Sequence, residues 1–288
     1  MVVLRTVPAA RKWVQAARSA GHRLGLVPTM GALHEGHRSL FVEARRRCDR
    51  VVASIFVNPL QFGPGEDFDR YPRSFNLDCK IAKEEGIDAI FAPSASEMIS
   101  EPPEINVSPW RMGELLCGVS RPGHFTGVAT VVAKLFNILQ PNTAFFGQKD
   151  AQQAVILSRM VQDLNFPITM VVCPTIREQD GLAISSRNKY LSPQQRERAT
   201  VLYKALHHGE QLILAGILKP DRIEAEMHNV IKAAKGVELD YAEVVDSLSL
   251  RKVKKIEGEV LLAGAVRLGK TRLIDNLIVR LAKKRQKV

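Results

Sequence analysis

Short apolar runs alternate with amphipathic stretches from the N-terminus to about Pro174. Residues 23–28 predict a strand, and residues 37–48 predict a helix because the apolar positions from Leu40 to Cys48 recur at helical spacing. The same reasoning predicts strands at 50–58, 88–93, 143–147 and 168–174, and helices at 77–86, 124–139 and 150–164. Strands separated by helices of this length indicate an α/β fold, with a doubly wound parallel sheet covered on both faces.

The pattern changes after Pro174. A polar loop at 177–193 leads to two helical stretches, 194–216 and 220–236, and then to two strand-like runs, 239–246 and 259–266. Helices followed by strands are typical of an α+β arrangement. We therefore predict two domains, residues 1–175 with the parallel sheet and residues 176–288 as a smaller C-terminal α+β domain.

The chain is basic, with 41 Lys and Arg against 30 Asp and Glu in 288 residues, a net charge of +11 and a pI near 9.7. Such a positive charge could attract nucleic acid or an anionic substrate. Much of it falls in residues 251–255 and 280–288, where no aromatic side chains alternate with the charges to stack on bases. We expect a solvated surface there and no nucleic-acid partner.

The cysteines and the hydropathy of the chain indicate the cellular compartment in which the protein is expected. The four cysteines are far apart and form no C-x-x-C motif, so we expect reduced thiols without zinc. No uncharged apolar stretch approaches the roughly 18 residues of a membrane helix, and the first residues lack the apolar core of a signal peptide. A cytoplasmic protein with no membrane partner is the expectation.

Two histidines, His34 and His37, lie in "VPTMGALHEGHRSL", where a helix is predicted to begin near His34. A helix N-terminus presents unpaired N–H groups and the positive end of its dipole, and two imidazoles there can add donors aimed at phosphate. A zinc helix would need H-E-x-x-H, with the histidines four positions apart. A purely structural role as helix caps remains an alternative at this point.

A second phosphate motif, "GAVRLGKT" at 264–271, matches the P-loop pattern G-x-x-x-x-G-K-[ST]. Only 17 residues follow Thr271, too few for the downstream helix, strands and Mg²⁺-binding Asp of a P-loop domain. We interpret the segment as a strand that turns at Gly269.

Five segments together resemble the pantothenate synthetase family: "PTMGALHEGH", "SIFVNPLQFGPGEDFDRYPR", "SRPGHFTGVATVV", "FFGQKDAQQ" and "ISSRN". The resemblance extends from about Val27 to "RLGKTRLIDN". It implies a Rossmann-like nucleotidyltransferase in which "HEGH" and "ISSRN" correspond to the HIGH and KMSKS signatures of class I aminoacyl-tRNA synthetases. The implied reaction joins pantoate to β-alanine through a pantoyl adenylate, with ATP cleaved to AMP and pyrophosphate, Mg²⁺ accompanying ATP, and a homodimer as the assembly.

The resemblance also implies roles for individual residues. It implies catalytic roles for His34, His37, Lys149, Ser185, Ser186 and Arg187, which could stabilise negative charge at the phosphates. Implied ATP contacts are Met30, Gly31, His37, Gly147, Lys149, Asp150, Ile176, Ser185, Ser186 and Arg187, with Asp150 at the ribose and the backbone of Ile176 at adenine. Pantoate would be held by Asn58, Gln61 and Gln153. Tyr71 and Arg73 fall in family motifs without a firm role, and Asp78 could help to hold Mg²⁺ through water.

Three positions depart from the family pattern. Gln148 stands where Glu is frequent, Ile184 where Met is usual and Ala32 where Asn is common. None removes a charged group from the predicted site, but Gln148 puts in doubt any role that needs a carboxylate there. Two other functions are weighed against the ligase: another nucleotidyltransferase of the same fold, and a nucleic-acid binder, whose affinity would fall steeply with salt.

Overall fold

The computed structural model describes residues 1–101 and 103–281. The basic tail identified in the sequence therefore lies, from residue 282 onward, outside the described residues. Within the described part, no helix combines the length and apolar character needed to cross a bilayer.

Contacts divide the chain into two units. The first comprises residues 1–114, 121–148 and 156–176, and the second comprises 115–120, 149–155 and 177–288. A single boundary near residue 176 does not describe the short segments 115–120 and 149–155, because they group with the residues that follow Ile176.

The first unit contains a six-stranded parallel sheet in the order β1-β4-β3-β2-β5-β6. Its strands are β1 (Val2–Leu4), β2 (Leu24–Thr29), β3 (Arg50–Ile55), β4 (Ala89–Phe91), β5 (Thr143–Gly147) and β6 (Thr169–Cys173). The chain winds from β2 through β3 to β4 and then returns to β5 on the other side of β2. The carboxyl ends of β2 and β5 thus flank a topological switch point, where open α/β sheets bind ligands.

Helices cover both faces of this sheet. They are α1 (Val7–Ser19), α2 (Glu35–Arg47), α3 (Phe75–Glu84), α4 (Ala95–Met98), α6 (His124–Leu139) and α7 (Ala151–Asp163), while the short α5 (Cys117–Ser120) belongs to the second unit. Strand residues alternate between two cores: Leu26 and Val52 pack with α1, α6 and α7, and Val27 and Val51 pack with α2 and α3. The predicted doubly wound sheet is confirmed.

The second unit is α+β, as the sequence predicted. An antiparallel sheet of β7 (Glu238–Asp246), β8 (Glu259–Leu268) and β9 (Thr271–Arg280) buries one face against α9 (Val201–Leu214) and α10 (Pro220–Lys232), with α8 (Pro193–Arg198) before them. Gly269 and Lys270 form the two-residue turn between β8 and β9, and Gly269 has a φ of 59°. The interpretation of "GAVRLGKT" as a turning strand is confirmed.

Some elements were not predicted. β1, α1 and the whole of β9 were not predicted from the sequence pattern. The single helix predicted at 194–216 was wrong, because residues 199–200 form a turn between α8 and α9. β9 mixes Arg, Asp and Asn with its apolar residues, so the alternation that marks a half-buried strand is broken at its centre.

Gly127 lets α6 approach the turn at Pro59–Gln61. A Cβ at position 127 would lie 2.2 Å from the Leu60 carbonyl oxygen and 2.7 Å from the Gln61 nitrogen. Gly-to-Ala changes inside helices are ordinarily stabilising by about 0.5–1 kcal/mol, so this contact reverses the usual sign.

We expect Gly127→Ala to lower the free energy of unfolding by about 1–3 kcal/mol, the usual cost of forced overpacking. Urea titration would measure it. Gly63→Ala is the matched control, because its Cβ would meet its nearest atoms, in Glu66, only at 3.8 Å. A Gly127→Ala protein as stable as wild type would show that α6 can move away from the turn.

Candidate active site

The turn that leaves β2 carries Met30, Gly31 and Ala32. Gly31 has a φ of 81° and Ala32 a φ of 52°, and a Cβ at position 31 would lie 2.9 Å from an Asp78 carboxylate oxygen. Only glycine fits that first position without strain. Asn tolerates the left-handed region better than Ala, so Ala32 adopts this conformation at a cost.

Asp78 holds this turn in place. Its carboxylate accepts the backbone N–H of Ala32 at 3.1 Å and that of Leu33 at 2.9 Å, as well as the Ser74 hydroxyl at 3.2 Å. Asp78 is 1% exposed, so these donors replace the water that the carboxylate loses on burial. These hydrogen bonds give a structural reason for a carboxylate at position 78. That Asp78 also helps to hold Mg²⁺ stays a prediction.

His34 and His37 form a reciprocal cap at the start of α2. His34 Nδ1 accepts the Gly36 N–H at 3.2 Å, His37 Nδ1 accepts the His34 N–H at 3.2 Å, and the ring centroids are 4.1 Å apart. Because each Nδ1 accepts, each neutral ring carries its proton on Nε2 and has an N–H donor there. The capping alternative therefore describes one function of these rings, and it fixes which nitrogen can donate to a ligand.

Gln61 belongs to a chain of amide hydrogen bonds whose direction can be deduced. The Gly127 carbonyl can only accept, so the atom 3.0 Å from it is the Asn58 amide nitrogen, which also donates to Gln61 Oε1 at 3.0 Å. The Gln61 amide nitrogen is then the remaining end of its side chain, and it donates to Met30 Sδ at 3.1 Å. Asn58, Gln61 and Met30 are thus brought together, with a donor from Gln61 directed at a weak acceptor.

The segment "SRPGHFTG" contains Arg121 and His124, for which the sequence predicted no role. The Arg121 guanidinium lies 3.1 Å from His124 Nε2 and can only donate, so the ring proton is on Nδ1, which donates to the Gln61 carbonyl at 2.7 Å. Arg121 donates to the same carbonyl at 3.2 Å. These residues fix the backbone of Gln61, and the available signal was an Arg and a His three positions apart where α6 begins.

Glu66 pairs with Arg121. The carboxylate receives two hydrogen bonds from the guanidinium, at 2.6 and 2.5 Å. Burial alone would raise the pKa of Glu66, but the hydrogen bond and charge of Arg121 outweigh it and hold that pKa below its ordinary value. The pair is therefore ionised at neutral pH.

Tyr71 and Arg73 stabilise their own loop. Tyr71 is buried with its ring 6.1 Å from that of Phe62, and Arg73 donates to the carbonyls of Phe68, Asp69 and Tyr71. These contacts give both residues a structural role, and a ligand role for either stays a prediction.

The remaining predicted residues lie on two other segments of the chain. Gly147 ends β5, and the 3-10 turn Gln148–Asp150 follows it directly, with Lys149 half-buried and Asp150 exposed. Gln153 lies in the first turn of α7. Its neighbour Gln152, which the sequence analysis did not single out, bonds to the Cys117 N–H at 3.0 Å and the Leu115 carbonyl at 2.7 Å, and so ties 115–120 to α7.

Ser185, Ser186 and Arg187 open a 3-10 turn at Ser186–Tyr190. The Ser185 hydroxyl caps it by accepting the Arg187 N–H at 3.3 Å, and Ser186 is buried. Ile176 is the last residue of the first unit, and the turn belongs to the second. The second unit thus holds Lys149, Asp150 and Gln153 on one segment and the serines and Arg187 on another.

Among residues 1–101 and 103–281, no three His, Cys, Asp or Glu side chains are grouped so that they could hold a metal ion.

Comparison with known proteins gives consistent results over the whole chain. A sequence profile of the pantoate-beta-alanine ligase family matches residues 2–278. The pantothenate synthetase of Moorella thermoacetica is 53% identical over 279 residues, which are 97% of this chain and 99% of the relative. That of Acetivibrio thermocellus is 49% identical with the same coverage.

Solved structures agree. The pantothenate synthetase of Thermus thermophilus superposes with a TM-score of 0.90 at 42% identity, over 96% of this chain and 99% of that one. The pantoate-beta-alanine ligase of Francisella tularensis, solved as a complex with beta-gamma ATP and beta-alanine, gives 0.80 at 32% identity, over 96% and 97%. With a family profile and close relatives matching nearly from end to end, this chain belongs to the pantoate-beta-alanine ligase family.

Proposed function

We propose that this chain condenses pantoate with β-alanine at the expense of ATP, through a pantoyl adenylate. The observation that carries the proposal is the full-length family match in a chain whose "HEGH" and "NPLQ" segments place oriented imidazole and amide donors after strands β2 and β3. Pantothenate is the product, with AMP and pyrophosphate released.

The first half-reaction is transfer of an adenylyl group. A pantoate carboxylate oxygen bonds to the α-phosphorus of ATP, the bond from that phosphorus to the bridging oxygen breaks, and pyrophosphate leaves with the electron pair. Negative charge builds on the phosphoryl oxygens, so the protein mainly has to position the reactants and supply donors and positive charge. His34 and His37 supply Nε2–H donors, Lys149 and Arg187 supply charge, and the Ser185 and Ser186 hydroxyls are further donors.

The second half-reaction forms the amide. The neutral amine of β-alanine attacks the acyl carbon, the C–N bond forms, the bond from that carbon to the phosphate oxygen breaks, and AMP leaves while the amine loses a proton. A separate, activated intermediate is what allows a carboxylate to react with an amine at all. Retention of the adenylate until the amine arrives is therefore the main requirement on the site.

Pantoate recognition follows from the orientation of Gln61. Its amide nitrogen contacts Met30 Sδ, a weak acceptor that a substrate carboxylate or hydroxyl oxygen can replace with a net gain. Its carbonyl end is held by Asn58 and its backbone carbonyl by Arg121 and His124, so the donor is preorganised before the substrate arrives. Gln153, at the start of α7, is the proposed second amide.

Mg²⁺ is proposed to enter with ATP and to neutralise charge on its phosphates, with Asp78 as a water-mediated contact. Asp150 is proposed to bind the ribose hydroxyls, and the Met30–Gly31 and Gly147 backbones to face the nucleotide. The cytoplasm as the compartment stays a prediction.

A homodimer is part of the proposal. β6 is an edge strand whose Val172 is 43% exposed, and Val42 on the neighbouring helix α2 is 59% exposed. An exposed strand edge beside apolar side chains is usually covered in solution. A second copy of the chain would cover it.

The order of the chemistry can be tested by isotope exchange. Labelled pyrophosphate should enter ATP in the presence of pantoate and Mg²⁺ but without β-alanine, because the first half-reaction is complete and reversible by itself. Omitting pantoate is the control, since another nucleotidyltransferase would not need it. Exchange that required β-alanine would contradict the adenylate route.

The two candidate lysines are separated by substitution. Removing a preorganised donor to transition-state charge typically costs about 10²- to 10³-fold in rate, so Lys149→Ala should slow adenylate formation at least that much with the melting temperature unchanged. Lys270 is exposed in the β8–β9 turn, and Lys270→Ala should change the rate less than about tenfold. Single-turnover assays measure both rates, and a severe loss confined to Lys270→Ala would contradict the assignment of Lys149 to the phosphates.

Cap and ligand roles of His34 can also be distinguished. Asn is a good N-cap residue, so His34→Asn should keep the stability of α2 while removing the imidazole, whereas His34→Ala should lose both at a cost of about 1 kcal/mol. If the Nε2–H group of His34 donates to the phosphates, both variants should slow pyrophosphate exchange to a similar extent. An active His34→Asn beside an impaired His34→Ala would mean that His34 is only a cap.

A further inference from the structure

Two neighbouring polar residues, Asp275 and Asn276, lie in the middle of β9 where an apolar pair would be ordinary. They are 5% and 3% exposed, and they point to opposite faces of the strand. Burial of such groups destabilises a fold unless each is hydrogen-bonded. Their partners therefore show what these two positions accomplish.

Asn276 bonds to the backbone of the predicted phosphate lysine. Its amide nitrogen donates to the Lys149 carbonyl oxygen at 3.0 Å. That carbonyl belongs to the peptide group between Lys149 and Asp150, so one hydrogen bond fixes the plane from which both side chains leave the 3-10 turn. The Gln148–Asp150 turn is only three residues long, and the hydrogen bonds of a 3-10 turn have poorer geometry than those of an α-helix.

Asp275 anchors Asn276 and a second loop. Its carboxylate accepts the Asn276 N–H at 2.7 Å and receives both terminal nitrogens of Arg177, at 2.5 and 2.9 Å. Arg177 also donates to the Asn276 carbonyl at 3.3 Å, and its guanidinium lies 4.4 Å from the centroid of the Tyr203 ring. Both backbone groups of Asn276 are thus held by the ion pair.

Arg177 continues the connection toward the serine loop. It donates to the Gly181 carbonyl at 3.0 Å, within the loop that leads to Ser185 and Arg187. One pair of residues on β9 therefore contacts the start of both predicted nucleotide-binding segments of the second unit. A strand paired along its whole length with β8 is a rigid support for such contacts.

We propose that Asn276 is a positioning residue for adenylation, which holds the Lys149–Asp150 peptide group so that both side chains meet ATP in reactive geometry. This inference rests on the proposed roles of Lys149 and Asp150. A misplacement of about 1 Å in a reacting group can cost on the order of 10²-fold in rate, so loss of the hydrogen bond should appear in the first half-reaction.

Two substitutions at Asn276 should differ in the pH dependence of their effect on rate, whereas a purely structural role of Asn276 predicts no such difference. Asn276→Leu removes the donor at every pH. Asn276→Asp places a carboxyl beside the Lys149 carbonyl, where the ionised form has no proton to donate and the protonated form does. Burial and the facing carbonyl both disfavour ionisation, so the introduced group should recover its donor as the pH falls.

We expect both variants to slow pantoate-dependent pyrophosphate exchange at about pH 8 by about tenfold or more. The ratio of wild-type to variant rate should shrink for Asn276→Asp between about pH 8 and about pH 6 and stay constant for Asn276→Leu. Reaction of β-alanine with adenylate already formed on the enzyme should change less than about twofold. Thr271→Val, another buried polar residue of β9, controls for lost stability and should leave exchange near wild type.

Three results would overturn the inference: equal losses in both half-reactions, a pH-independent ratio for Asn276→Asp, or exchange that follows the melting temperature through all three variants. Lys149→Ala is measured in parallel. If it leaves exchange near wild type, the proposed role of Lys149 fails. If it slows exchange while Asn276→Leu does not, the positioning role alone fails.

Discussion

The buried carboxylate of Asp78 is the constraint on which the "HEGH" end of the first unit depends. The chain leaves β2 through two consecutive left-handed residues, Gly31 and Ala32, a conformation that L-residues adopt at a cost. Asp78 offsets the cost by accepting the N–H groups of Ala32 and Leu33. With the turn fixed, His34 lies at the cap of α2. The hydrogen bonds from the Gly36 and His34 N–H groups to the Nδ1 atoms of His34 and His37 then set the tautomer of both rings.

Much of this could be predicted from the sequence because the determining signals are local. The alternation of apolar runs with helical stripes predicted the doubly wound sheet, and Gly269 marked the turn that separates β8 from β9. The start of α2 near His34 was also predicted, since a Gly-rich segment before an amphipathic stretch has few other interpretations. Roles for individual residues came from the family resemblance, which local pattern alone could not provide.

The contacts that hold the predicted residues in place could not be predicted, because they join positions far apart in sequence. Asn58 meets the Gly127 carbonyl 69 positions later, and Asn276 meets the Lys149 carbonyl 127 positions earlier. A polar residue that satisfies a backbone group has no period and no motif. For the same reason β9 was not predicted. Its central residues, Asp275 and Asn276, bond to groups far away in sequence, and their polarity interrupts the alternation by which a strand is recognised.

These supporting contacts have one feature in common, and it determines how substitutions will affect stability and rate. In each case a side chain bonds to backbone: Asp78 to the N–H groups of 32 and 33, His124 to the carbonyl of Gln61, Asn276 to that of Lys149. A backbone carbonyl cannot be removed by mutation of its own residue, and a backbone N–H is removed only by proline. Truncating the side-chain partner therefore leaves a polar group unsatisfied, at about 1–3 kcal/mol if it is buried. Stability and rate should therefore fall together when such a residue is deleted. An isosteric change that alters only the donor or acceptor separates the effect on rate from the effect on stability. It keeps the packing of the side chain and removes only the hydrogen bond that orients the backbone group.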